Sequence, residues 1–218
     1  MAKKLIWDLS VRIVHWGLVV LIFGSWYTVE VAGDMDTHML IGQVILSLVL
    51  FRIVWGFVGT RYARFSSFWF KPREIVASAR SLFSRAAPVY AGHNPVGGIS
   101  VFLMLALALL QTTTGLFATD GDFYAGPLND LISGAAGNGV TDYHELNFNI
   151  LLLAICLHVV AVLYYLLFKR QNLIAPMIVG GKPDEAGNLE AIPSSRPWLA
   201  LGIYLGVAAA IYAVLHLR

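Results

Sequence analysis

Charged residues are scarce in this sequence. They make up 13% of the 218 residues, whereas 58% of the residues are apolar. A typical soluble domain has about a quarter of its residues charged, so the composition excludes an ordinary soluble domain and indicates an integral membrane protein. The net charge is only +2, and no basic tract is interleaved with aromatic residues. A nucleic-acid-binding protein is therefore also excluded.

Cysteine is almost absent. The single cysteine, Cys156, lies in an apolar run. One cysteine can form neither an intrachain disulfide nor a metal site made of several thiolates, and without a Cys-x-x-Cys-His motif no haem is attached covalently. The sequence also lacks the Gly-x-Gly-x-x-Gly fingerprint and the P-loop, which excludes the usual nucleotide-binding sites.

Long apolar runs are what the sequence has instead. A helix needs about 20 apolar residues to cross a bilayer. Five stretches meet this length: Val11–Val31, Met39–Val58, Val96–Ala118, Phe148–Phe168 and Pro197–Leu217. The first is too long for a signal peptide and has no small-residue cleavage site after it, so we expect it to be a retained span. We predict an all-α integral membrane protein with five spans.

The connections between these spans differ in charge. Basic residues gather at the N-terminus, in the second connection and after the fourth span: Lys3, Lys4, Arg12, Arg61, Arg64, Lys71, Arg73, Arg80, Arg85, Lys169, Arg170 and Lys182. Acidic residues gather in the first and third connections: Glu30, Asp34, Asp36, Asp120, Asp122, Asp130 and Asp142. Because cytoplasmic loops are enriched in Lys and Arg, the sequence predicts a cytoplasmic N-terminus and an external C-terminus.

An amphipathic segment lies inside the second connection. In the stretch KPREIVASARSLFSR, Pro72 stands near a helix start, and Ile75, Ala79, Leu82 and Phe83 fall on one face of the predicted helix. The arginines lie away from that face. This pattern is typical of a short helix on the cytoplasmic membrane surface. A plain amphipathic connector has the same pattern.

Four histidines lie in or beside the spans, where ionisable side chains are functional candidates. His144 and His158 are fourteen residues apart, close to four helical turns, so they share one helix face and lie roughly 21 Å apart along the axis. His38 opens the second span at the level of His144, and His15 lies in the first span at the level of His158. Imidazole suits iron, and two histidines on facing helices can hold one haem iron. The pattern predicts two haem sites at two depths, although each histidine alone is also compatible with a hydrogen-bonded core position.

Three further residues fit such sites. Arg52 follows His38 by fourteen residues and shares the depth of His158, where the spans contain no carboxylate. A haem propionate would satisfy its charge, and so would snorkelling to the inner headgroups. Gly17 and Gly42 each follow a histidine of the predicted pairs and leave room for a flat macrocycle, although glycines also serve helix packing in membranes.

These residues resemble the bacterial cytochrome b561 family, which includes the b-type cytochrome subunits that serve nickel-iron hydrogenases and thiosulfate reductases. The resemblance rests on RIVHW, HMLIGQVIL, FRIVWGFVG, AGHNPVGG, TTTGLFATD and NLIAPMIVGGK, together with His144 and His158. It covers roughly Leu5 to Lys182. It implies a four-helix core in the bacterial inner membrane with two non-covalent b haems, each held by two histidines. Carried over by position, the ligands would be His15, His38, His144 and His158. The resemblance therefore implies that residues 1–182 form the haem-binding core and that residues 183–218 add a linker and the fifth span.

The sequence therefore predicts a membrane electron carrier. One end would exchange electrons with quinone in the bilayer, and the other would meet a redox protein on the outer side, such as a c-type cytochrome or an oxidoreductase subunit. Two alternatives stay open. A self-contained superoxide oxidase would favour a positive funnel around an outer haem, whereas the outer connections are acidic. A haem-free transporter with a histidine relay would favour broken helices and polar clusters at the membrane midplane.

The remaining polar features allow several interpretations. His93 lies in the turn AGHNPVGG, and we expect it at the surface or near a quinone site rather than as a ligand. His216, at the outer end of the last span, is predicted to be incidental. Late in the third span, Gln111, Thr112 and Thr113 would contact quinone or the outer haem, or would form hydrogen bonds between helices.

The third connection, Thr119–Thr141, is long, acidic and rich in glycine. Loops of this length are often functional. It either docks a basic partner protein or caps the outer haem.

Overall fold

Five helices long and apolar enough to cross a membrane account for most of residues 3–82, 84, 90–184 and 189–217, which are the residues that the computed structural model describes. They are α1 (Leu9–Tyr27, continued by a π-helical turn at Thr28–Ala32), α2 (Met35–Val58), α4 (Pro95–Gly115), α5 (Gly134–Leu167) and α7 (Pro197–His216). The predicted all-α membrane fold is confirmed.

Shorter elements connect these helices. They are β1 (Lys3–Leu5), α3 (Pro72–Ser81), α6 (Ile174–Val179), β2 (Gly181–Pro183) and two 3₁₀ turns at Phe65–Ser67 and Asn129–Leu131. We call the face that holds the N-terminus the inner face and the opposite one the outer face.

The start of α5 differs most from the prediction. The helix begins at Gly134, where the Ser133 side chain accepts a hydrogen bond from the backbone N–H of Ala136. This is fourteen residues before the predicted start at Phe148, because hydropathy detects only the part of a helix that lies in lipid. The polar first turns of α5 therefore contain the last eight residues of the segment predicted as a loop, Thr119–Thr141.

The helices pack in sequence order around the core. Helix α1 packs on α2, α2 on α4, and α4 on α5. Helix α7 packs on α2 and less extensively on α1. There the Tyr204 ring meets Phe51 at 6.0 Å between ring centres, and the Ser47 hydroxyl donates to the Tyr204 hydroxyl at 3.3 Å. The fifth span thus packs on the side of the core formed by α1 and α2.

A buried carboxylate pins the inner end of α1. Asp8 is 1% exposed and caps the helix by accepting a hydrogen bond from the Val11 backbone N–H at 2.8 Å. It also accepts from the indole N–H of Trp55 at 3.1 Å and from the Thr60 hydroxyl. Because buried carboxylates need hydrogen-bond donors, these contacts fix α1 against the end of α2.

The inner face is closed by a small antiparallel sheet. Strands β1 and β2 pair with Lys4 opposite Lys182, and the backbone N–H groups of Ile6 and Trp7 both donate to the Gly180 carbonyl at 2.9 and 3.1 Å. Gly180 has φ +82°, which a side chain rarely adopts. The N-terminus is thereby tied to the segment that follows α5.

The predicted amphipathic helix is present as α3, but its buried face differs. Ser78 is buried, Ile75 and Leu82 are half-buried, and Ala79 is exposed because α3 packs on α4. The C-terminal end of α3 is held by α5, whose Tyr164 hydroxyl donates to the Leu82 carbonyl at 2.7 Å. Phe83 and Arg85 lie outside the described residues.

Candidate functional site

The four candidate ligands come together as two pairs. The ring centres of His15 and His158 lie 6.4 Å apart, and those of His38 and His144 lie 6.2 Å apart. A bond from a metal to an imidazole nitrogen is about 2 Å long, so two imidazoles on opposite sides of one metal have centres roughly 6 Å apart. Both pairs therefore fit a metal held between two histidine rings.

A metal held between two histidines would need further ligands from a bound group. Within the described part of the chain, no group of three or more His, Cys, Asp or Glu side chains is placed to hold a metal ion. Two nitrogens alone leave most coordination positions of an iron open. A porphyrin supplies four further nitrogens, which makes the two pairs suitable for haem and unsuitable for a bare ion.

Hydrogen bonds orient both histidines of the outer pair. Nδ1 of His38 lies 3.0 Å from both the backbone carbonyl and the hydroxyl oxygen of Ser25. Because a carbonyl can only accept, Nδ1 carries the proton and Nε2 keeps its lone pair. Such a bond from the second ring nitrogen is typical of metal-ligating histidines.

His144 is oriented in the same way by Thr114. The Thr114 hydroxyl donates to the Leu110 carbonyl at 2.8 Å, so its oxygen accepts from Nδ1–H of His144 at 3.0 Å. Gly115 allows this approach, because a Cβ at that position would lie 3.0 Å from Cε1 of His144. One turn further along α5, the buried Asn147 amide donates to the Leu107 carbonyl and to the Gln111 side chain, which fixes the rotation of α5 against α4.

The inner pair has different surroundings. Nδ1 of His15 is buried and has no hydrogen-bond partner among the described residues. The ring lies against Trp16, at 5.0 Å between ring centres. His15 is therefore held by packing, without a hydrogen bond from the described residues like those that orient the outer pair.

Arg52 lies in the inner half and is 6% exposed. Its guanidinium lies 5.4 Å from the centre of the Phe65 ring, and its Nη1 is buried without a hydrogen-bond partner among the described residues. Sequence reasoning placed no carboxylate at this level, but Asp8 interacts with it electrostatically. The carboxylate of Asp8 is occupied by Trp55 and Thr60. The free Nη1 donor is what a haem propionate would engage.

His93 is half-buried rather than on the surface. Its ring centre lies 4.8 Å from Trp7 and 4.6 Å from Phe68, and its Nδ1 is buried without a partner among the described residues. Burial, followed by the charge of Arg52 and an interaction with His158, lowers the pKa of His93 to about 3. The ring is therefore neutral near pH 7 and lies in the inner half, where it interacts with Arg52 and His158.

The two glycines near the pairs differ. A Cβ on Gly17 would lie 3.3 Å from Leu48, so this glycine serves the packing of α1 on α2 and does not leave a gap. A Cβ on Gly42 would meet no atom within 4 Å. Gly42 therefore borders open space near the outer pair, as a flat macrocycle requires.

Gln111 and Thr112, two of the polar residues late in the third span, form hydrogen bonds to other helix residues. The Thr112 hydroxyl donates to the Ala108 carbonyl at 2.9 Å, Gln111 accepts from Asn147, and Thr113 is exposed. These residues form the helix hydrogen bonds that membrane proteins commonly contain. His216 is exposed, and its ring stacks on Tyr212.

The connection between α4 and α5 lies against the outer pair. Gly126 packs on the backbone of Gly115, next to His144. The Asp120 carboxylate orders the loop tip by accepting from three consecutive backbone N–H groups at 2.9–3.0 Å. The tip presents Phe123, which is 88% exposed, beside the exposed Asp122. The described segments of the outer face, 28–38, 116–145 and 212–217, contain no Lys or Arg.

Sequence reasoning missed three side chains that shape these surroundings: Asp8, Ser25 and Thr114. Asp8 was detectable, because an Asp just before an apolar run is an N-cap signal. Ser25 and Thr114 carry no such signal, because their contacts depend on how α1 and α4 are rotated against their neighbours.

Comparison with known proteins identifies the family to which the chain is similar. The family model for prokaryotic cytochrome b561 matches residues 6–180. A probable Ni/Fe-hydrogenase B-type cytochrome subunit of Rhizobium leguminosarum bv. viciae is 27% identical over 157 residues, which cover 66% of this chain and 66% of that protein, slightly under two thirds. A protein of the same description from Bradyrhizobium diazoefficiens is 24% identical over 210 residues, which cover 80% of this chain and 84% of that protein. No solved structure matches.

Proposed function

Because the chain belongs to the prokaryotic cytochrome b561 family, we propose that it carries electrons across the bacterial membrane by means of two haem b groups, one held by His15 and His158 and the other by His38 and His144. The protein is a multi-pass bacterial membrane protein and a b-type cytochrome of electron transfer. The observation that carries the proposal is the ring separation of 6.4 and 6.2 Å in the two pairs.

The chain's own residues hold and orient the groups. Haem, when bound, supplies one-electron redox chemistry. Ser25 and Thr114 keep Nε2 of the outer histidines free for iron, and Gly42 leaves room beside them. In the inner half, Arg52 offers a buried donor to a carboxylate. Residues 1–182 form the unit that holds both groups, and residues 183–218 add the linker and α7.

We place quinone exchange at the inner end and a redox protein at the outer end. The relatives are described as hydrogenase cytochrome subunits, which supports an oxidoreductase subunit, or a c-type cytochrome, as the partner. The acidic outer face with the exposed Phe123 favours a basic partner surface. At the inner end, His93 has a buried nitrogen without a partner in the described part of the chain, whereas the outer candidates Gln111 and Thr112 are already hydrogen-bonded.

The experiment that tests the haem assignment is a reduced-minus-oxidised absorption spectrum with a haem-to-protein ratio. The purified protein should contain two b haems per chain. His15→Ala and His38→Ala should each lose one of them, because the remaining histidine of each pair cannot hold the iron from both sides. The matched control is His216→Ala, whose exposed ring should not affect the ratio. A protein without haem, or with one haem indifferent to both substitutions, would contradict the proposal.

Removal of negative charge from the outer face tests the partner assignment. Replacement of the exposed Asp122 and Asp142 with Asn should slow electron transfer to or from a basic redox protein at low ionic strength, because electrostatic attraction speeds association. The difference from the unaltered protein should vanish in high salt, which screens surface charges. An unaltered rate at low salt would remove the outer face as the docking surface.

The acidic outer face argues against superoxide as substrate, because the anion would be repelled from it. The five long helices argue against a broken-helix transporter.

A further inference from the structure

The two histidine pairs differ in the partners of their second ring nitrogens. Nδ1 of His38 donates to the Ser25 carbonyl, and Nδ1 of His144 donates to the Thr114 hydroxyl, each at 3.0 Å. Nδ1 of His15 has no partner among the described residues. An imidazole that donates such a hydrogen bond is a more basic ligand than one that does not.

The pairs also differ in the charges around them. Arg12 lies one turn before His15 on α1 and donates to the Ile178 carbonyl at 2.6 Å. Arg52 lies in the same inner half, buried, and interacts electrostatically with His93, which in turn interacts with His158. The described outer segments contain no Lys or Arg and several Asp and Glu residues. The buried Asp8 carboxylate interacts with Arg52 and offsets part of its charge, but the two arginines still leave more positive charge around the inner pair than around the outer pair.

We propose that these differences make the haem of the outer pair the one with the lower reduction potential, and that Thr114 and Ser25 are the positioning residues that lower it. Reduction adds one electron to ferric iron and lowers its charge by one. A more basic ligand favours the ferric form, which lowers the potential, and a nearby positive charge favours the ferrous form, which raises it. Both effects act in the same direction here. The inference rests on the two-haem function proposed above.

The consequence is an uneven distribution of a single electron. When the protein holds one electron for two haems, the electron resides mainly at the inner pair. Thr114 and Ser25 touch the histidines and not the iron, so their substitution should change the potential of the outer haem in the protein that retains it.

The test is a potentiometric titration of the b-haem absorption, in which each haem gives one wave. The His38→Ala and His15→Ala proteins identify the waves, because each retains a single haem. The wave missing from His38→Ala should be the lower of the two. Thr114→Val, which keeps the shape but removes the hydroxyl, should raise that wave and leave the other in place. The adjacent exposed Thr113→Val is the matched control and should move neither.

Two further variants guard against a purely structural effect. Thr114→Ser keeps the hydroxyl and should retain the original potential. Ser25→Ala removes one of the two acceptors at His38 and should raise the same wave by less, because the backbone carbonyl remains. The proposal is overturned if the lower wave belongs to the inner pair, or if Thr114→Val and Ser25→Ala both leave the wave unmoved. A haem-to-protein ratio of two in these samples shows that the two-haem function holds even when the inference about Thr114 fails.

Discussion

The outer and inner histidine pairs have nearly the same ring separation, 6.2 and 6.4 Å, but the protein completes them to different degrees. In the outer pair, Ser25 and Thr114 satisfy the second ring nitrogens. In the inner half, four buried nitrogens, on Arg12, His15, Arg52 and His93, have no partner among the described residues. The outer site is therefore preorganised, whereas the inner site contains a buried arginine donor, Arg52 Nη1, that a bound carboxylate would satisfy.

This difference shows how similar geometry can serve different purposes. A buried polar group without a partner costs about 1–3 kcal/mol, and more when it is charged. Such groups persist where a bound molecule satisfies them. The inner half of the bundle is thus less stable without its ligand, and binding of the ligand should stabilise it more than binding at the outer half stabilises the outer half.

Removal of both histidines of α5 should have the largest effect, because this helix contributes one histidine to each pair. The double variant His144→Ala/His158→Ala should lose both haems, because α5 supplies one ligand to each pair. His144→Ala alone should lose the haem that His38→Ala loses, and His158→Ala the haem that His15→Ala loses. Haem-to-protein ratios and the remaining potentiometric wave measure this. Loss of different haems by His38→Ala and His144→Ala would disprove the pairing.

Substitution of Arg52 should weaken the inner site alone. Arg52→Met removes a donor to a carboxylate, which is worth about 1.5–3 kcal/mol for a hydrogen bond to a charged group. The stability of the haem-free protein should change less, because the lost interactions with Phe65 and Asp8 are offset by removal of a buried nitrogen that has no partner among the described residues. Competition for haem with apomyoglobin measures the affinity. Arg61→Met, at an exposed arginine, is the control, and an equal loss there would remove Arg52 from the site.

Substitution of Gly115 should weaken the outer site alone. A methyl group there would crowd Cε1 of His144, and overpacking of this kind costs about 1–3 kcal/mol. The Gly115→Ala protein should retain the inner haem and lose part of the outer one. Gly134→Ala, on α5 with no atom near the added methyl group, should retain both. Equal occupancy of the two haems in Gly115→Ala would count against this role.

Substitution of Asp8 should affect the stability of the fold and leave both histidine pairs intact. In Asp8→Asn the amide NH₂ would face the Trp55 N–H and the Thr60 hydroxyl. The hydroxyl can turn to accept from the amide, but the indole N–H loses its acceptor, which costs about 1–3 kcal/mol. Thermal unfolding in detergent should shift downward, with both haems retained. The exposed N-cap substitution Asp34→Asn should shift it less, since Asn caps helices about as well as Asp. Loss of the inner haem in Asp8→Asn would show that Asp8 also acts on the site.

The sequence predicted the five spans and the depth of each histidine, because hydropathy and a helical repeat are properties of one segment at a time. It did not predict the start of α5, since Gly134 to Asn147 are too polar to be detected as a span. Ser25 and Thr114 were missed because a hydrogen bond between two helices depends on their relative rotation. Gly17 was interpreted as a gap near haem, whereas Leu48 on α2 fills the space. His93 was expected at the surface or near a quinone site; the N-terminal Trp7 packs on its ring, which is half-buried rather than on the surface.

Helix α5 also sets the order in which the protein can be assembled. His15 and His38 enter the membrane early in synthesis, but each meets its partner only after residues 134–167 have been inserted. The two backbone bonds to Gly180 and the pairing of β1 with β2 close the inner face still later. A ribosome that stalls before residue 134 would therefore leave a chain with three spans and no complete histidine pair, so cofactor loading must follow insertion of the fourth span.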